Sequence, residues 1–214
     1  MSFQYIAVEG AIGVGKTAVV ERLTQRLEAT ALLEEWGQNP FLKSFYDGRP
    51  GAAFQSELFF VLSRHRQQQE LVQRKLFTQA TISDYVFEKS RLFAYLNLED
   101  SELLVYEKLY TLLAEGVPRP DLVVYLQAPT DALRRRLRTR AREDEDDQPL
   151  PTEDYLAELN EAYNHFFFHY TATPLLVVET SQVDLSWGDD TVDELLRQIK
   201  SMARGTQYYV PRTR

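Results

Sequence analysis

The 214-residue sequence has no cysteine, and this absence excludes both a disulfide framework and a cysteine-based metal site. It also has no apolar run long enough to cross a membrane, and its first residues do not resemble a signal peptide, so we expect a cytoplasmic protein without a membrane partner. Lysine and arginine total 24 against 32 acidic residues, which gives a net charge of −8. Because no broad basic surface is available to neutralise phosphates, we expect no nucleic-acid partner.

The composition is that of a globular protein, with 44% hydrophobic and 26% charged residues. A chain of this length fits one domain with a substantial core. We predict a single domain over residues 1–205. Residues 206–214 show no apolar periodicity, so we expect a loosely held C-terminal tail there.

A glycine-rich motif near the N-terminus is the most informative segment. It matches the phosphate-binding loop pattern G-x-x-x-x-G-K-[ST] at every fixed position, over Gly10, Ala11, Ile12, Gly13, Val14, Gly15, Lys16 and Thr17. An apolar strand precedes it at residues 5–8, and a helical pattern follows at residues 18–27. Backbone N–H groups and the helix dipole would hold phosphates there, while Lys16 reaches the terminal phosphates and Thr17 ligates Mg²⁺. The sequence therefore predicts binding of a nucleoside triphosphate.

Short apolar runs alternate with helical patterns along the chain. The runs are nearly continuous, as in strands buried on both faces, and cover residues 5–8, 31–33, 80–83, 122–126 and 175–178. Helical periodicity covers residues 55–75, 99–113, 131–140, 152–170 and 189–202. This alternation predicts a three-layer α/β fold, a five-stranded parallel sheet flanked by helices.

Acidic residues follow the second and third predicted strands. Glu34 and Glu35 end the second, and Asp84 ends the third. Because ligands bind beyond the carboxyl ends of parallel strands, these carboxylates should meet the phosphate loop. One could hold Mg²⁺ and another could accept the proton of an attacking hydroxyl, which indicates phosphoryl transfer. Asp84 could instead cap a helix, and either member of the Glu34–Glu35 pair could face the site.

A run of arginines follows the fourth predicted strand and is itself followed by acidic residues. Such a run is typical of a solvated helix end. Arg136 and Arg140, however, lie one helical turn apart and share a face. That face is a candidate clamp on a transferring phosphoryl group.

Over residues 3–202, these features resemble the deoxynucleoside kinases. Beyond the phosphate loop, the matching residues are Glu34, Asn39, Pro40, Tyr46, Glu57, Arg64, Arg136, Arg140, Arg142 and Glu145. The family commonly has Glu-Arg-Ser or Asp-Arg-Ser after the third strand, where this sequence has Asp84-Tyr85-Val86. The family's base-contacting Gln is replaced by Glu57. Both departures are similar to bacterial deoxyguanosine kinases.

The resemblance implies a phosphate-loop kinase with an arginine-rich lid at about residues 136–150, ATP as donor, Mg²⁺ as cofactor and a homodimer formed through helices. It implies that Glu34 positions and deprotonates the 5′-hydroxyl of the nucleoside. Lys16 and the lid arginines Arg136, Arg140 and Arg142 would stabilise charge in the transition state. The metal would lie on Thr17 and Asp84, and the substrate would contact Glu34, Tyr46, Glu57, Arg64, Asp84 and Glu145.

Guanine presents two donors along one edge, and the Glu57 carboxylate offers two acceptors, so deoxyguanosine is the expected substrate. Other interpretations stay open. Glu57 and Arg64 could form a structural ion pair, and Tyr46 could be a core residue. A deoxyadenosine/deoxycytidine kinase, a nucleoside monophosphate kinase and a nucleotide-switch module that binds partner proteins are the alternative functions. A monophosphate acceptor would need an arginine where the sequence places the Glu34 carboxylate.

Overall fold

The structure, a computed structural model, describes residues 3–74, 80–143, 150–183 and 187–211, with only the backbone for residues 73–74 and 140–143. Its centre is a parallel sheet of strand order β2-β3-β1-β4-β5-β6. The strands are β1 (Tyr5–Glu9), β2 (Thr30–Leu32), β3 (Thr81–Ser83), β4 (Leu122–Gln127), β5 (Leu175–Glu179) and β6 (Thr206–Tyr209). The predicted α/β class is confirmed.

The helices are α1 (Lys16–Leu27), α2 (Leu42–Tyr46), α3 (Ala52–Arg74), α4 (Lys89–Asn97), α5 (Asp100–Ala114), α6 (Thr130–Glu143), α7 (Glu153–Phe168) and α8 (Asp189–Ser201), with a short 3₁₀ helix at Trp36–Gln38. The sequence patterns did not reveal α2 or α4. The α5 helix begins at a capping box, in which Glu99 and Glu102 satisfy each other's backbone N–H groups. None of the helices in the described ranges is long and apolar enough to span a bilayer.

The prediction of five strands was wrong, because the segment expected to be a loose tail contributes a sixth. Strand β6 pairs in parallel with β5, with Leu175 opposite Thr206 and Val178 opposite Tyr209. Only Tyr209 of this edge strand is buried, so no alternation of apolar residues marks it in the sequence. Its tyrosines and threonine suit a strand, but that preference is weak without packing.

The central strands β1, β4 and β5 form the core between the helical layers, and every residue of β1 is buried. A second apolar cluster joins α3, α4 and α5 around Val61, Tyr106 and Tyr110. This arrangement brings three features to one edge of the sheet: the phosphate loop after β1, Glu34 after β2, and Asp84 after β3. The helices α3 and α4 cover that edge with polar side chains.

Candidate active site

The glycine-rich loop leaves β1 and ends at the first residue of α1. Gly15, which precedes α1, has φ 98°, a left-handed conformation that glycine adopts without strain. A Cβ on Gly10 would lie 2.5 Å from the carbonyl oxygen of Leu126, so only glycine lets the loop pass this close to β4. The Lys16 ammonium donates to the Gly10 carbonyl at 2.6 Å. The segment therefore forms a tight loop between β1 and α1, as predicted. Lys16 bonds back to the loop, and Thr17 is exposed in the first turn of α1.

Glu9 is a site residue that the sequence analysis missed. It ends β1 fully buried, and its two carboxylate oxygens accept from the backbone N–H groups of Gly10 at 2.8 Å and of Val86 at 3.3 Å. The side chain thus ties the phosphate loop to the segment after β3. A charged residue at the end of an otherwise apolar buried strand was the available signal.

The structure separates the adjacent glutamates after β2. Glu34 points inward, where Arg64 contacts Oε1 at 2.5 Å and the Lys89 ammonium donates to Oε2 at 2.7 Å. Glu35 instead lies at the surface and forms an exposed ion pair with Arg66 at 3.2 Å. Glu34 is therefore the buried glutamate of the pair, and Arg64 and Lys89 are its partners.

Two cations control the ionisation of Glu34. Burial alone raises the pKa of its carboxyl, but Arg64 and Lys89 outweigh burial and hold that pKa well below its ordinary value. The three side chains are almost completely enclosed, with exposed side-chain fractions of 14%, 3% and 6% for Glu34, Arg64 and Lys89. Glu34 is thus a carboxylate at any pH at which the protein is handled, with one cation on each oxygen.

Asp84 lies beside Glu34 and beside the phosphate loop. Its Oδ1 accepts from the backbone N–H of Glu34 at 2.8 Å, and its charge acts on the pKa of Lys16. Burial and the charge of Glu34 raise the pKa of Asp84. The possible role as a helix cap is excluded, because α4 begins five residues later and Glu88 occupies its cap position.

Thr17 and Asp84 provide the hydroxyl and carboxylate oxygens that suit Mg²⁺. Within the described ranges, no group of three or more acidic or histidine side chains could hold a metal by itself. A magnesium ion here would need phosphate oxygens as further ligands, and this is how nucleotide-binding proteins usually hold it. The donor chemistry therefore fits Mg²⁺ that arrives with a nucleotide.

A second group of polar side chains, here called the polar cluster, comes from α2, α3, α4 and α7. Glu57 on α3 is 2% exposed, and its Oε1 accepts from the side-chain amide of Asn97 at 2.9 Å. Its Oε2 is buried and has no hydrogen-bond partner among the described residues. A buried acceptor without a donor costs about 1–3 kcal/mol, and a ligand that offers N–H donors would remove that cost.

Two tyrosines, Tyr46 and Tyr155, belong to the polar cluster. The pKa of the Tyr46 hydroxyl is raised to about 12, first by burial and then by the charges of Glu57 and Glu34. Burial and the charges of Glu57 and Tyr46 raise the pKa of the Tyr155 hydroxyl on α7. The Tyr155 ring packs against Phe45, with ring centroids 5.9 Å apart. The Tyr46 hydroxyl is thus close enough to both glutamates for their charges to act on its pKa.

Arg64 does not form the ion pair with Glu57 that the sequence left open. Its guanidinium bonds Glu34 and donates to the Ser90 hydroxyl at 2.8 Å, and it lies over the ring of Phe60. The charge of Arg64 lowers the pKa of Glu57, although the two side chains are not hydrogen-bonded to each other. Burial raises the pKa of Glu57 to about 7, although Arg64 and the bond from Asn97 act in the opposite direction.

The lid arginines are only partly described. Arg136 donates to the hydroxyl and carbonyl of Thr180 and to the Val183 carbonyl, which attaches it to the loop after β5. Arg140 and Arg142 belong to α6, but their side chains lie outside the described residues, as does all of Glu145. The catalytic roles of these arginines and the sugar contact of Glu145 stay predictions.

The chain is similar to known proteins along nearly its whole length. The family model described as deoxynucleoside kinase matches residues 6–204. Deoxyguanosine kinase of Bacillus subtilis is 34% identical over 139 residues, which cover 64% of this chain and 67% of the relative. Deoxyadenosine/deoxycytidine kinase of the same organism is 26% identical over 211 residues, 94% of each chain.

Among solved structures, deoxyadenosine kinase from M. mycoides with bound dATP has the same fold. It matches with a TM-score of 0.77 at 19% identity, and the match covers 92% of this chain and all of that one. Because the family model matches residues 6–204, it covers nearly the whole chain. The chain belongs to the deoxynucleoside kinase family, and it is therefore an enzyme that transfers phosphate to a nucleoside.

Proposed function

We propose that the protein transfers the γ-phosphoryl group of ATP to the 5′-hydroxyl of deoxyguanosine. Thr17 and Asp84 would hold a Mg²⁺ ion, which would neutralise charge on the donor phosphates, and Lys16 would neutralise charge on the transferring group. Glu34 would receive the 5′-hydroxyl between the phosphate loop and the polar cluster. Tyr46 would contact the sugar, and the base would lie against Glu57.

The observation that carries the guanine assignment is the buried Glu57 carboxylate with one unpartnered oxygen. Guanine offers N1–H and its 2-amino group side by side, and a carboxylate accepts from both with charge-assisted bonds. Adenine offers an acceptor at N1 beside a donor, so one carboxylate oxygen would face a lone pair. That mismatch costs about 1–3 kcal/mol, which corresponds to roughly ten- to hundredfold in selectivity.

Deoxyadenosine is the second candidate, and one property of the same residue favours it. Because the pKa of Glu57 is raised to about 7, its neutral acid form is populated near neutral pH. A carboxylic acid presents one donor and one acceptor, which is the arrangement that adenine requires. Relatives named deoxyguanosine kinase and deoxyadenosine kinase are both similar to this chain.

The test is a steady-state panel of the four deoxynucleosides with ATP and Mg²⁺ at pH 6 and pH 8. We expect deoxyguanosine to be preferred at pH 8. On protonation of a group with a pKa of about 7, the preference for deoxyguanosine over deoxyadenosine should fall at pH 6 by about tenfold or more. Glu57→Gln should lower the guanine preference by roughly ten- to hundredfold and remove its pH dependence.

A substitution nearby on α3 controls for effects on the polar cluster that do not depend on Glu57. Gln55→Glu changes charge on the exposed side of the same helix and should leave the purine ratio unchanged. Equal kinetics on both purines at pH 8, or a preference for deoxycytidine, would show that Glu57 does not read the base. Turnover of deoxynucleoside monophosphates instead of nucleosides would contradict the proposed acceptor.

We also propose that two copies of the chain associate through α4 and α5. Large apolar side chains are exposed on these helices: Tyr95 at 58%, Leu104 at 63%, Val105 at 54% and Leu112 at 68%. Leu104 and Leu112 lie two helical turns apart on one face, so they form a stripe rather than scattered exposed residues. A cytoplasmic location stays a prediction of the sequence.

A further inference from the structure

Lys89 is a buried cation to which the sequence analysis gave no role. It is the first residue of α4, its side chain is 6% exposed, and its ammonium donates to Oε2 of Glu34 at 2.7 Å. The Lys89 ammonium nitrogen also lies 5.5 Å from the centroid of the Phe93 ring. A lysine enclosed in this way is rare unless a specific charge requires it.

The charges around Lys89 place it at the junction between the acceptor site and the phosphate loop. Burial lowers the pKa of Lys89, but Glu34 and Glu9 more than offset burial, so that the pKa is raised and the side chain stays charged. Burial lowers the pKa of Lys16, and the charge of Lys89 lowers it further. The two ammonium groups are therefore close enough for their charges to interact, and the Lys89 ammonium donates to Glu34.

Arg64 and Lys89 divide the Glu34 carboxylate between them. Arg64 bonds Oε1 through Nε and Nη2, and among the described residues Lys89 is the partner of Oε2. With one anchor, a carboxylate can rotate about its last bond; with an anchor on each oxygen, its plane is fixed. A fixed plane directs the remaining lone pairs, and a catalytic group must hold its partner within a fraction of an ångström to be effective.

The geometry points to Lys89 as the positioning residue of Glu34: it fixes Oε2 so that the carboxylate holds the acceptor hydroxyl in line with the phosphate loop. This inference rests on the proposed phosphoryl transfer to a 5′-hydroxyl. It goes beyond it by naming the group that orients the acceptor site.

The main experiment compares Lys89→Met, Lys89→Arg and the surface control Lys200→Met with ATP and the preferred deoxynucleoside. We expect Lys89→Met to lower kcat by about a hundredfold with little change in KM, as for other preorganised polar groups. Lys89→Arg keeps a cation on Oε2 and should recover at least tenfold of that loss. Lys200 lies exposed in the last turn of α8, so its replacement should have no effect.

Two readouts distinguish positioning from packing. Removal of Lys89 should raise the pKa of Glu34, so the activity of Lys89→Met relative to the wild type should fall further as the pH is lowered from 8 to 5.5. In the Glu34→Gln background, Lys89→Met should cost less than threefold in kcat, because the carboxylate that it positions is gone. Circular dichroism confirms folding, and Lys89→Gln replaces Lys89→Met if the latter does not fold.

The inference is overturned if Lys89→Met retains kcat within threefold of the wild type, or if the arginine and methionine variants lose activity equally. It is also overturned if the losses from Lys89→Met and Glu34→Gln multiply in the double variant. Failure of the wild type to phosphorylate any deoxynucleoside is a separate outcome, since it would refute the proposed function before any Lys89 variant is compared.

Discussion

Replacement of Glu34 by glutamine should damage both activity and stability, whereas the same change at Glu35 should do neither. The two residues are adjacent, so the pair is a matched test of which carboxylate works in the site. Glu34 is enclosed with Arg64 and Lys89, and Glu35 forms an exposed pair with Arg66. Glutamine has nearly the same shape as glutamate, so differences between the variants report charge rather than volume.

The expected loss of stability follows from the two buried cations. In Glu34→Gln, Arg64 and Lys89 lose their shared anion, and breaking a buried pair costs about 3–5 kcal/mol. For a chain of this size, 1 kcal/mol corresponds to about 2–4 °C in Tm, so Tm should fall by about 6–20 °C. An exposed pair such as that of Glu35 contributes about 0–1 kcal/mol, so Glu35→Gln should change Tm by less than about 4 °C.

The destabilisation should depend on pH in a definite direction. In the wild type, Glu34 and Glu9 raise the pKa of Lys89 against the effect of burial. Without the Glu34 carboxylate, burial is less opposed and the Lys89 pKa falls, so this lysine can release its proton as the pH rises. Once Lys89 is neutral, the free-energy cost of a buried unpaired charge is removed. The Tm difference between the wild type and Glu34→Gln should therefore shrink between pH 7 and pH 9.5.

The activity assay uses ATP, Mg²⁺ and the preferred deoxynucleoside. We expect kcat of Glu34→Gln to fall by about 10²- to 10⁴-fold with a much smaller change in KM, because the amide still contacts the hydroxyl. Scanning calorimetry at pH 7 and pH 9.5 gives the stability differences. A Glu34→Gln variant as stable and active as the wild type would falsify the assignment, and a loss confined to Glu35→Gln would reverse it.

Two further outcomes are expected. Lys16→Ala should reduce phosphoryl transfer by at least about 10²-fold, since a single preorganised charge is worth roughly 3–4 kcal/mol. Circular dichroism should be unchanged, because the Lys16 ammonium donates to carbonyls of its own loop, those of Gly10 and Ala11. Near-normal turnover of this variant would contradict the role of the loop. Leu104→Glu with Leu112→Glu should convert a dimer to a monomer in analytical ultracentrifugation, whereas Phe168→Glu on α7, 78% exposed, should not. A monomeric wild type would refute the proposed interface.

Much of the fold could be predicted because its signals are local. The motif from Gly10 to Thr17 predicts a phosphate-binding loop between a strand and a helix. The continuous apolar runs of β1, β4 and β5 are typical of buried parallel strands. Strand β6 could not be predicted, since an edge strand with one buried side chain leaves no alternation to detect. The α2 helix has five residues, too few to show a helical period.

The sequence pointed to candidate site residues but not to the contacts between them. The Glu57–Arg64 spacing correctly indicated a shared face of α3, yet Arg64 bonds Glu34, thirty positions away, rather than Glu57. The roles of Glu9 and Lys89 depend on which groups the sheet and α4 bring near them. A sequence shows which side chains are charged, but only packing shows which charge each of them meets.

The pairing of Glu34 also bears on how the acceptor is activated. The sequence allowed Glu34 to deprotonate the hydroxyl or to hold it. A carboxylate whose pKa lies well below its ordinary value is a weaker base than a free glutamate, so strong deprotonation is not what this arrangement provides. Phosphoryl transfer passes through a loose transition state in which the nucleophile bonds late, and orientation then matters more than base strength. We infer that the two cations make Glu34 a rigid acceptor for the hydroxyl hydrogen, at the cost of basicity that this reaction does not need.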